Sequence, residues 1–205
     1  MDELMEFIIP TGKDFSLVDP SEYNYWKARK NRTFYLDFEL NDSFEAIELG
    51  KTIIQMNAEE KDIPEESLQP IFIWIYSIGG DGWQCSSLCD IIEASRIPIV
   101  TINMGIAMSS GFLIFLAGKR RYSFRQGTFL VHNGELSVSG TMGQVDDFFT
   151  SHKKDLVRMK EYILSHTTID EKTYNKNKSK DWYLKADEAE KVGICKVVTS
   201  FDEIV

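Results

Sequence analysis

Ser109 and Ser110 stand in Gly105-Ile106-Ala107-Met108-Ser109-Ser110-Gly111, where small residues run into the apolar stretch Phe112-Leu113-Ile114-Phe115-Leu116. A serine hydroxyl becomes a nucleophile when a base lies within hydrogen-bond reach and an acid orients that base. The chain has three histidines, so the candidate bases are few: His132, His152 and His166. His132 ends the run Thr128-Phe129-Leu130-Val131 and precedes Asn133-Gly134, a strand end from which a side chain can reach a cleft. His152 and His166 fall on a predicted long helix or at its end. Among 32 acidic residues, spacing alone selects no orienting acid. A hydroxyl at a helix start lies beside unpaired backbone N–H groups and the positive end of the helix dipole, which suits a substrate that develops an oxyanion. Serines at such places also cap and pack helices, so both readings of the pair stand at this point.

The flanking elements set the frame. Ile97-Pro98-Ile99-Val100-Thr101-Ile102-Asn103 is rich in β-branched residues and reads as a buried strand. Gly118, Arg120 and Arg121 mark a helix stop. The segment is therefore strand, tight turn and buried helix, with the serine pair at the helix start. Upstream, Ile71-Phe72-Ile73-Trp74-Ile75-Tyr76 is apolar on both faces, as in a central strand. It runs into Ser77-Ile78-Gly79-Gly80-Asp81-Gly82, whose glycines permit positive φ and close backbone approach. No Lys-Ser/Thr follows, so this is not a P-loop, and the spacing is not Gly-x-Gly-x-x-Gly. Its other use is to supply backbone donors beside Ser109. Trp83 to Ala94 reads as a helix, which makes a right-handed strand-helix-strand crossover.

The rest of the chain fills in around these pieces. Residues 1–31 read as an arm, with an extended piece at Ile8-Ile9-Pro10 and a helical turn opened by Asp19-Pro20-Ser21-Glu22 that carries Tyr23, Tyr25 and Trp26. Thr33 to Phe38 reads as a strand, followed by caps at Asn41-Asp42-Ser43 and a helix over 43–57. Residues 58–70 form a charged exposed connection. Arg121 to Phe124 and Thr128 to His132 read as two short strands around a turn at Gln126-Gly127, and residues 135–141 as a small, polar, mobile stretch. From about Met142 to Ser165 a long helix is expected. Val145, Phe149, His152, Leu156, Met159 and Ile163 recur on it in alternating steps of four and three, close to a heptad seam. That stripe invites a partner, or packs on its own domain. Shorter elements follow: a helix at Asp170 to Asn177, the segment Lys180 to Leu184, a helix from Ala186 that stops at Gly193, and a closing strand at Lys196 to Thr199.

Composition narrows the class. A chain of 205 residues with 43% hydrophobic and 27% charged residues is most simply one globular domain with a sizeable core. A net charge of −9 argues against general binding of nucleic acid or anionic membranes. The apolar stretch over 106–117 is too short for a span of roughly 20 residues. The acidic start Met1-Asp2-Glu3-Leu4-Met5-Glu6 lacks the basic flank of a signal peptide, so a cytoplasmic location is expected. Cys85, Cys89 and Cys195 are an odd set, expected to be reduced. Cys85 and Cys89 lie one helical turn apart and read as packed thiols rather than metal ligands.

Four segments in order carry a resemblance. Gly105-x-Ala107-x-Ser109-x-Gly111, preceded by Ser77-x-Gly79-Gly80 and followed by Leu130-Val131-His132 and by Lys180-Asp181-Trp182-Tyr183-Leu184-x-Ala186-Asp187-Glu188-Ala189, resembles the ClpP family, the proteolytic subunits of Clp proteases. The similarity runs from about Thr33 to Val198 and fits a divergent, phage-like member. It implies an α/β, crotonase-like spiral of strand-strand-helix units over 33–205, with residues 1–32 as the arm and a protruding helical handle at about 134–165. It implies Ser109 as nucleophile, His132 as general base, Asp181 as the group orienting His132, and the backbone N–H groups of Gly80 and Ser110 as the oxyanion hole. The Ser110 side chain is expected only to pack. The implied activity is endopeptidase cleavage of peptides or unfolded proteins inside a homo-oligomeric ring, a heptamer or stacked heptamers. A partner AAA+ ATPase would unfold the substrates; the peptide chemistry itself needs no nucleotide, metal or other cofactor. The alternatives are a non-catalytic ring subunit of the same fold and a crotonase-type enzyme acting on acyl-coenzyme A. The chain departs from the family pattern at Ile78, at Asn133-Gly134, at Lys180 and in its N-terminal arm. Ile78 replaces the usual proline before Gly79-Gly80, which leaves the turn less rigid. Asn133-Gly134 replaces Gln-Pro, and Lys180 replaces an arginine whose bidentate fork lysine lacks.

Overall fold

The computed structural model describes residues 20–41 and 44–204. The expected extended piece at Ile8-Ile9-Pro10 and the cap positions Asp42 and Ser43 lie outside the described residues. The helical turn expected after Asp19 is a full helix, α1 (Pro20–Lys30). The chain behind it is fastened at its end: Arg29 pairs with Glu59, and the Arg32 guanidinium takes both oxygens of Glu60 and the Pro70 carbonyl.

Strand β1 (Thr33–Leu36) leads to α2 (Glu45–Glu59). The helix starts later than the sequence predicts. Its N-cap is Phe44, in a left-handed conformation (φ 58°) and with no side-chain capping bond, so tertiary burial of Ala46, Leu49, Ile53 and Met56 holds this helix. Next come β2 (Ile71–Ser77) and α3 (Gly82–Ala94), the latter capped by the Asp81 carboxylate, which accepts from the Gln84 N–H at 2.7 Å. Strand β3 (Ile99–Met108) runs five residues beyond the predicted end at Asn103, straight to Ser109, and α4 (Ser110–Leu116) follows.

Strands β4 (Arg120–Phe124) and β5 (Thr128–Val131) do not form a hairpin. Both pair parallel with β3, end to end: β4 with Val100–Asn103 and β5 with Ile106–Met108. Asn103, fully buried, fills the gap where β3 changes partner; its amide accepts from the Gly105 N–H at 2.9 Å and donates to the Thr128 carbonyl at 3.3 Å. No helix or strand spans residues 132–140. Helix α5 (Met142–His166) then opens with a reciprocal capping box between Thr141 and Gln144. The chain ends through α6 (Glu171–Asn177), β6 (Trp182–Lys185), α7 (Ala186–Lys191) and β7 (Lys196–Val198).

Among the described residues the sheet runs β1-β2-β3-β4-β7, all parallel, with β5 beside the end of β3 and β6 antiparallel to β5. The main core lies where Ile71, Ile73 and Ile75 of β2 meet Ile53 of α2, Leu88 and Ile92 of α3 and Phe112 and Phe115 of α4. Val100, Ile102, Val198 and Ile204 form a smaller cluster with Phe72, Trp74, Tyr122 and Phe124. Apolar contacts on both faces explain why β2 and β3 read as continuous hydrophobic runs. Of α5, only the C-terminal end joins the core, through Met159, Tyr162, Ile163 and Leu164.

Candidate active site

Ser109 sits between β3 and α4 with φ 52° and ψ −122°, a positive φ at a residue with a Cβ. Such a conformation costs about 1–3 kcal/mol and persists only where the surroundings impose it. Here the Ser109 N–H donates to the Leu130 carbonyl at 3.0 Å, and its own carbonyl accepts from the N–H groups of Phe112 and Leu113. Although Ser109 holds the N-cap position of α4, its hydroxyl makes no capping bond. The capping alternative for Ser109 therefore fails, and the sharp strand-to-helix turn leaves the hydroxyl uncommitted.

His132 and Asp181 are brought together by strand register. Val131 at the end of β5 pairs with Trp182 at the start of the antiparallel β6, so the next residue of each strand faces the other. The His132 Nδ1 lies 3.3 Å from the Asp181 Oδ1. The His132 ring is 20% exposed and the Asp181 side chain 61% exposed, so the acid reaches in from the solvent side. The other ring nitrogen, Nε2, is buried and has no hydrogen-bond partner, so Ser109 is not bonded to it in this conformation. Hydrogen bonds of this kind are often long in ligand-free enzymes and tighten when substrate binds. Ser109 and His132 share one edge because β3 and β5 run parallel, with Met108 beside Leu130. The carboxyl ends of parallel strands are the usual place for ligand sites in such sheets.

The glycine turn lies against this serine. Gly79 and Gly80 have φ of 101° and 126°. A Cβ on Gly79 would stand 2.7 Å from both the Ser109 Cβ and the Met108 carbonyl oxygen; one on Gly80 would run into the Leu40 carbonyl. Only glycine allows this approach. Leu40 grips the turn through its backbone: its N–H donates to the Gly79 carbonyl at 2.7 Å and its carbonyl accepts from Asp81 at 2.8 Å. The Ser77 hydroxyl accepts from the Gly79 N–H and donates to the Phe38 carbonyl. With the Gly79 carbonyl bonded to Leu40, the Gly80 N–H of the same trans peptide is aimed the opposite way. The N–H groups of Gly80 and Ser110 have no acceptor among the described residues.

Two features escaped the sequence. Leu40 acts through backbone atoms, which residue type does not signal. The Ser110 side chain does more than pack: its hydroxyl donates to the Gly80 carbonyl at 2.8 Å. Behind it, Cys85 and Cys89 are buried free thiols with sulfurs 4.0 Å apart, and the Cys85 thiol donates to the Ser110 carbonyl at 3.3 Å. His166 pairs instead with Glu93 at 2.9 Å, and its Nδ1 lies 2.8 Å from the Tyr162 carbonyl. An open cleft of about 470 Å³ at the other end of α4, lined by Arg96, Lys119, Arg121 and His166, contains none of Ser109, His132 and Asp181. Among the described residues there is no group of three or more His, Cys, Asp or Glu side chains suited to a metal, and no helix long and apolar enough to cross a membrane.

This sheet, with β5 continuing β4 along β3 and turning back through β6, is the ClpP/crotonase-like fold. A solved ClpP1 mutant from Listeria monocytogenes superposes with a TM-score of 0.74 over 89% of this chain and 99% of its own, at 20% sequence identity. The Clp protease family model matches residues 28–201, and the chain belongs to that family of serine peptidases. A Clp protease proteolytic subunit from Bdellovibrio bacteriovorus is 30% identical over 177 residues, 83% of this chain and 79% of that protein. Proteolytic subunit 2 from Treponema denticola is 29% identical over 128 residues, 62% of this chain. That match spans 64% of the Treponema protein.

Proposed function

We propose that this chain is a serine endopeptidase that cleaves peptides and unfolded proteins through Ser109, His132 and Asp181. The observation that carries the reading is the His132–Asp181 pair, whose free Nε2 lies at the same sheet edge as the uncommitted hydroxyl of the strained Ser109 turn. Substrate binding would bring Nε2 and the hydroxyl together. His132 then takes the Ser109 proton as the oxygen bonds to the scissile carbonyl carbon, and Asp181 steadies the imidazolium. The oxyanion accepts hydrogen bonds from the N–H groups of Gly80 and Ser110. His132 passes the proton to the leaving amine as the C–N bond breaks, which leaves an acyl-Ser109. A water that loses its proton to His132 attacks the ester, and the Ser109 oxygen recovers a proton as it leaves.

The same reading makes the chain a ring-forming homo-oligomer in the cytoplasm, a heptamer or a pair of stacked heptamers, fed by an AAA+ ATPase. Residues 1–32 would be its arm and 134–165 the handle between rings. The exposed N-terminal part of α5 supports an intersubunit role.

A fluorophosphonate probe tests the chemistry. Wild-type protein should be labelled and Ser109→Ala should not. Equal labelling of Ser109→Ala moves the nucleophile elsewhere. An assembled wild type that takes no label and cleaves no peptide favours the non-catalytic ring subunit.

A further inference from the structure

The proposed oxyanion hole is built from two segments that come from different parts of the chain. Gly80 lies on the loop after β2, and Ser110 begins the helix after β3. Besides the bonds that Asp81 accepts from α3, three backbone or hydroxyl bonds hold the first segment, at Gly79 N–H, Gly79 carbonyl and Asp81 N–H. All three run to Ser77 or Leu40, and none reaches residues 109–111. No proline fixes φ between Ser77 and Gly82, Ile78 is exposed, and Gly79 and Gly80 both sit at positive φ. Nothing in those bonds sets the distance from this loop to the Ser109 turn.

One hydrogen bond does, beside the close packing of Gly79 on Ser109. Among the described residues, the Ser110 hydroxyl to the Gly80 carbonyl, at 2.8 Å, is the hydrogen bond that joins residues 79–81 to residues 109–111. Ser110 is 6% exposed, so this bond is shielded from competing water. Ser110 itself is secured from behind, where the buried Cys85 thiol donates to its carbonyl. One residue thus presents a donor N–H and ties down the residue that presents the other.

We propose that Ser110 is a positioning residue, whose side-chain hydroxyl fixes the spacing between the two oxyanion donors by holding the Gly80 carbonyl. This rests on the peptidase reading above. Without the hydroxyl, the loop stays bonded to Leu40 but loses its bond to the Ser109 turn, so the loop and its Gly80 N–H can shift away from the point where the oxyanion forms. The Gly80 carbonyl also loses its partner. A displacement of about 1 Å in such a site can cost about 100-fold in rate, and a lost donor about 100- to 1,000-fold, so a loosened donor falls at or below the first figure.

The test compares wild type, Ser110→Ala and Ser110→Cys on a fluorogenic peptide and on a peptide aldehyde. The hemiacetal that the aldehyde forms with Ser109 places an oxyanion in the same hole. Native mass and thermal unfolding report assembly and folding. Ser110→Ala should keep its assembly and KM within about twofold, while kcat and aldehyde affinity both fall about 10- to 100-fold. Ser110→Cys, which keeps a weak donor of similar size, should lie between the two. An active wild type with Ser110→Ala within twofold in kcat and aldehyde affinity overturns the proposal and leaves the peptidase reading intact. A fall in KM-dependent binding alone, with kcat unchanged, also overturns it. If Ser110→Ala does not assemble, Ser110→Cys carries the test, and wild-type kinetics from it count against the proposal. A wild type that assembles but neither cleaves peptide nor binds aldehyde overturns both readings.

Discussion

His132 and Asp181 face each other from just outside two strands. Each is the residue next to the last pair of the antiparallel β5–β6 ladder, and their side chains meet at 3.3 Å. Backbone pairing thus sets the pair, and the side chains have only to reach across. Asp181→Asn leaves that ladder unchanged but removes the charge that favours the Nδ1–H tautomer and the imidazolium. The variant should assemble normally and lose about 10³- to 10⁴-fold in kcat for peptide hydrolysis. Peptidase activity near wild type in an assembled Asp181→Asn protein would remove Asp181 from the mechanism.

Gly79→Ala attacks the nucleophile turn from the other side. The new methyl would press on the Ser109 Cβ and the Met108 carbonyl, at a φ of 101° that alanine resists. The strain should lower stability by about 1–3 kcal/mol and displace Ser109 relative to Gly80. Thermal unfolding should shift down by several degrees, and kcat should fall at least about 100-fold. Unchanged hydrolysis would mean that the close approach of Gly79 to Ser109 is not needed for the chemistry.

The sequence reading and the structure agree where side-chain type carries the information, and part where backbone does. Residue type offered His132 as a histidine at a strand end, but it could not choose Ser109 over Ser110 or pick Asp181 from 32 acids; those two assignments came from the resemblance to the ClpP family, and only the structure shows that His132 and Asp181 meet. Helix α5 was legible almost to its last residue, since its apolar spacing runs without a break, whereas the Thr141–Gln144 capping box that opens it was not read. Strand β3 was cut short because Gly105, Ala107 and their neighbours look like turn residues. They are small because this part of β3 packs tightly: Ala107 is buried, and a Cβ on Gly105 would press on the Tyr76 ring. The step from β4 to β5 along β3 was not legible, since short strands beside a Gln-Gly turn suggest a hairpin. It takes the long-range position of buried Asn103 to show otherwise. Ser110 was misread for a related reason, because a small buried serine reads as packing until its acceptor is known.

The buried thiols should be chemically quiet. Burial pushes the Cys195 thiol up to about 12. The neighbouring Cys85 thiol, and then burial, raise Cys89. A thiol with a raised pKa stays protonated, and the protonated form is a poor nucleophile. Folded protein should therefore show slow alkylation of Cys89 and Cys195 by iodoacetamide, without the rise between pH 7 and pH 9 that an ordinary thiol of pKa about 8.5 gives. Unfolding in guanidinium should release both. Rapid, pH-dependent labelling of Cys89 in the folded protein would show that α3 opens behind Ser110.

Helix α5 is the part of the molecule least explained by a single chain. Its heptad-like stripe continues for several turns before Met159, yet the only fully buried residue on the helix is Ile163, near the C-terminal end. Phe149 lies on the stripe and is 43% exposed, with Phe148 stacked on His152 one turn along. An amphipathic helix of 25 residues whose apolar stripe is only half-buried and exposes Phe149 is stabilised when a second such face covers it. The proposed handle gives that role to a second copy of this chain. Phe149→Glu would set a charge into such a contact, where desolvation makes it costly, but it touches nothing in the core of its own chain. The variant should therefore keep its circular dichroism and unfolding temperature, and light scattering should show a smaller particle than wild type. A wild-type protein that is monomeric at the same concentration, or a Phe149→Glu variant with unchanged mass, would rule out this stripe as the seam between subunits.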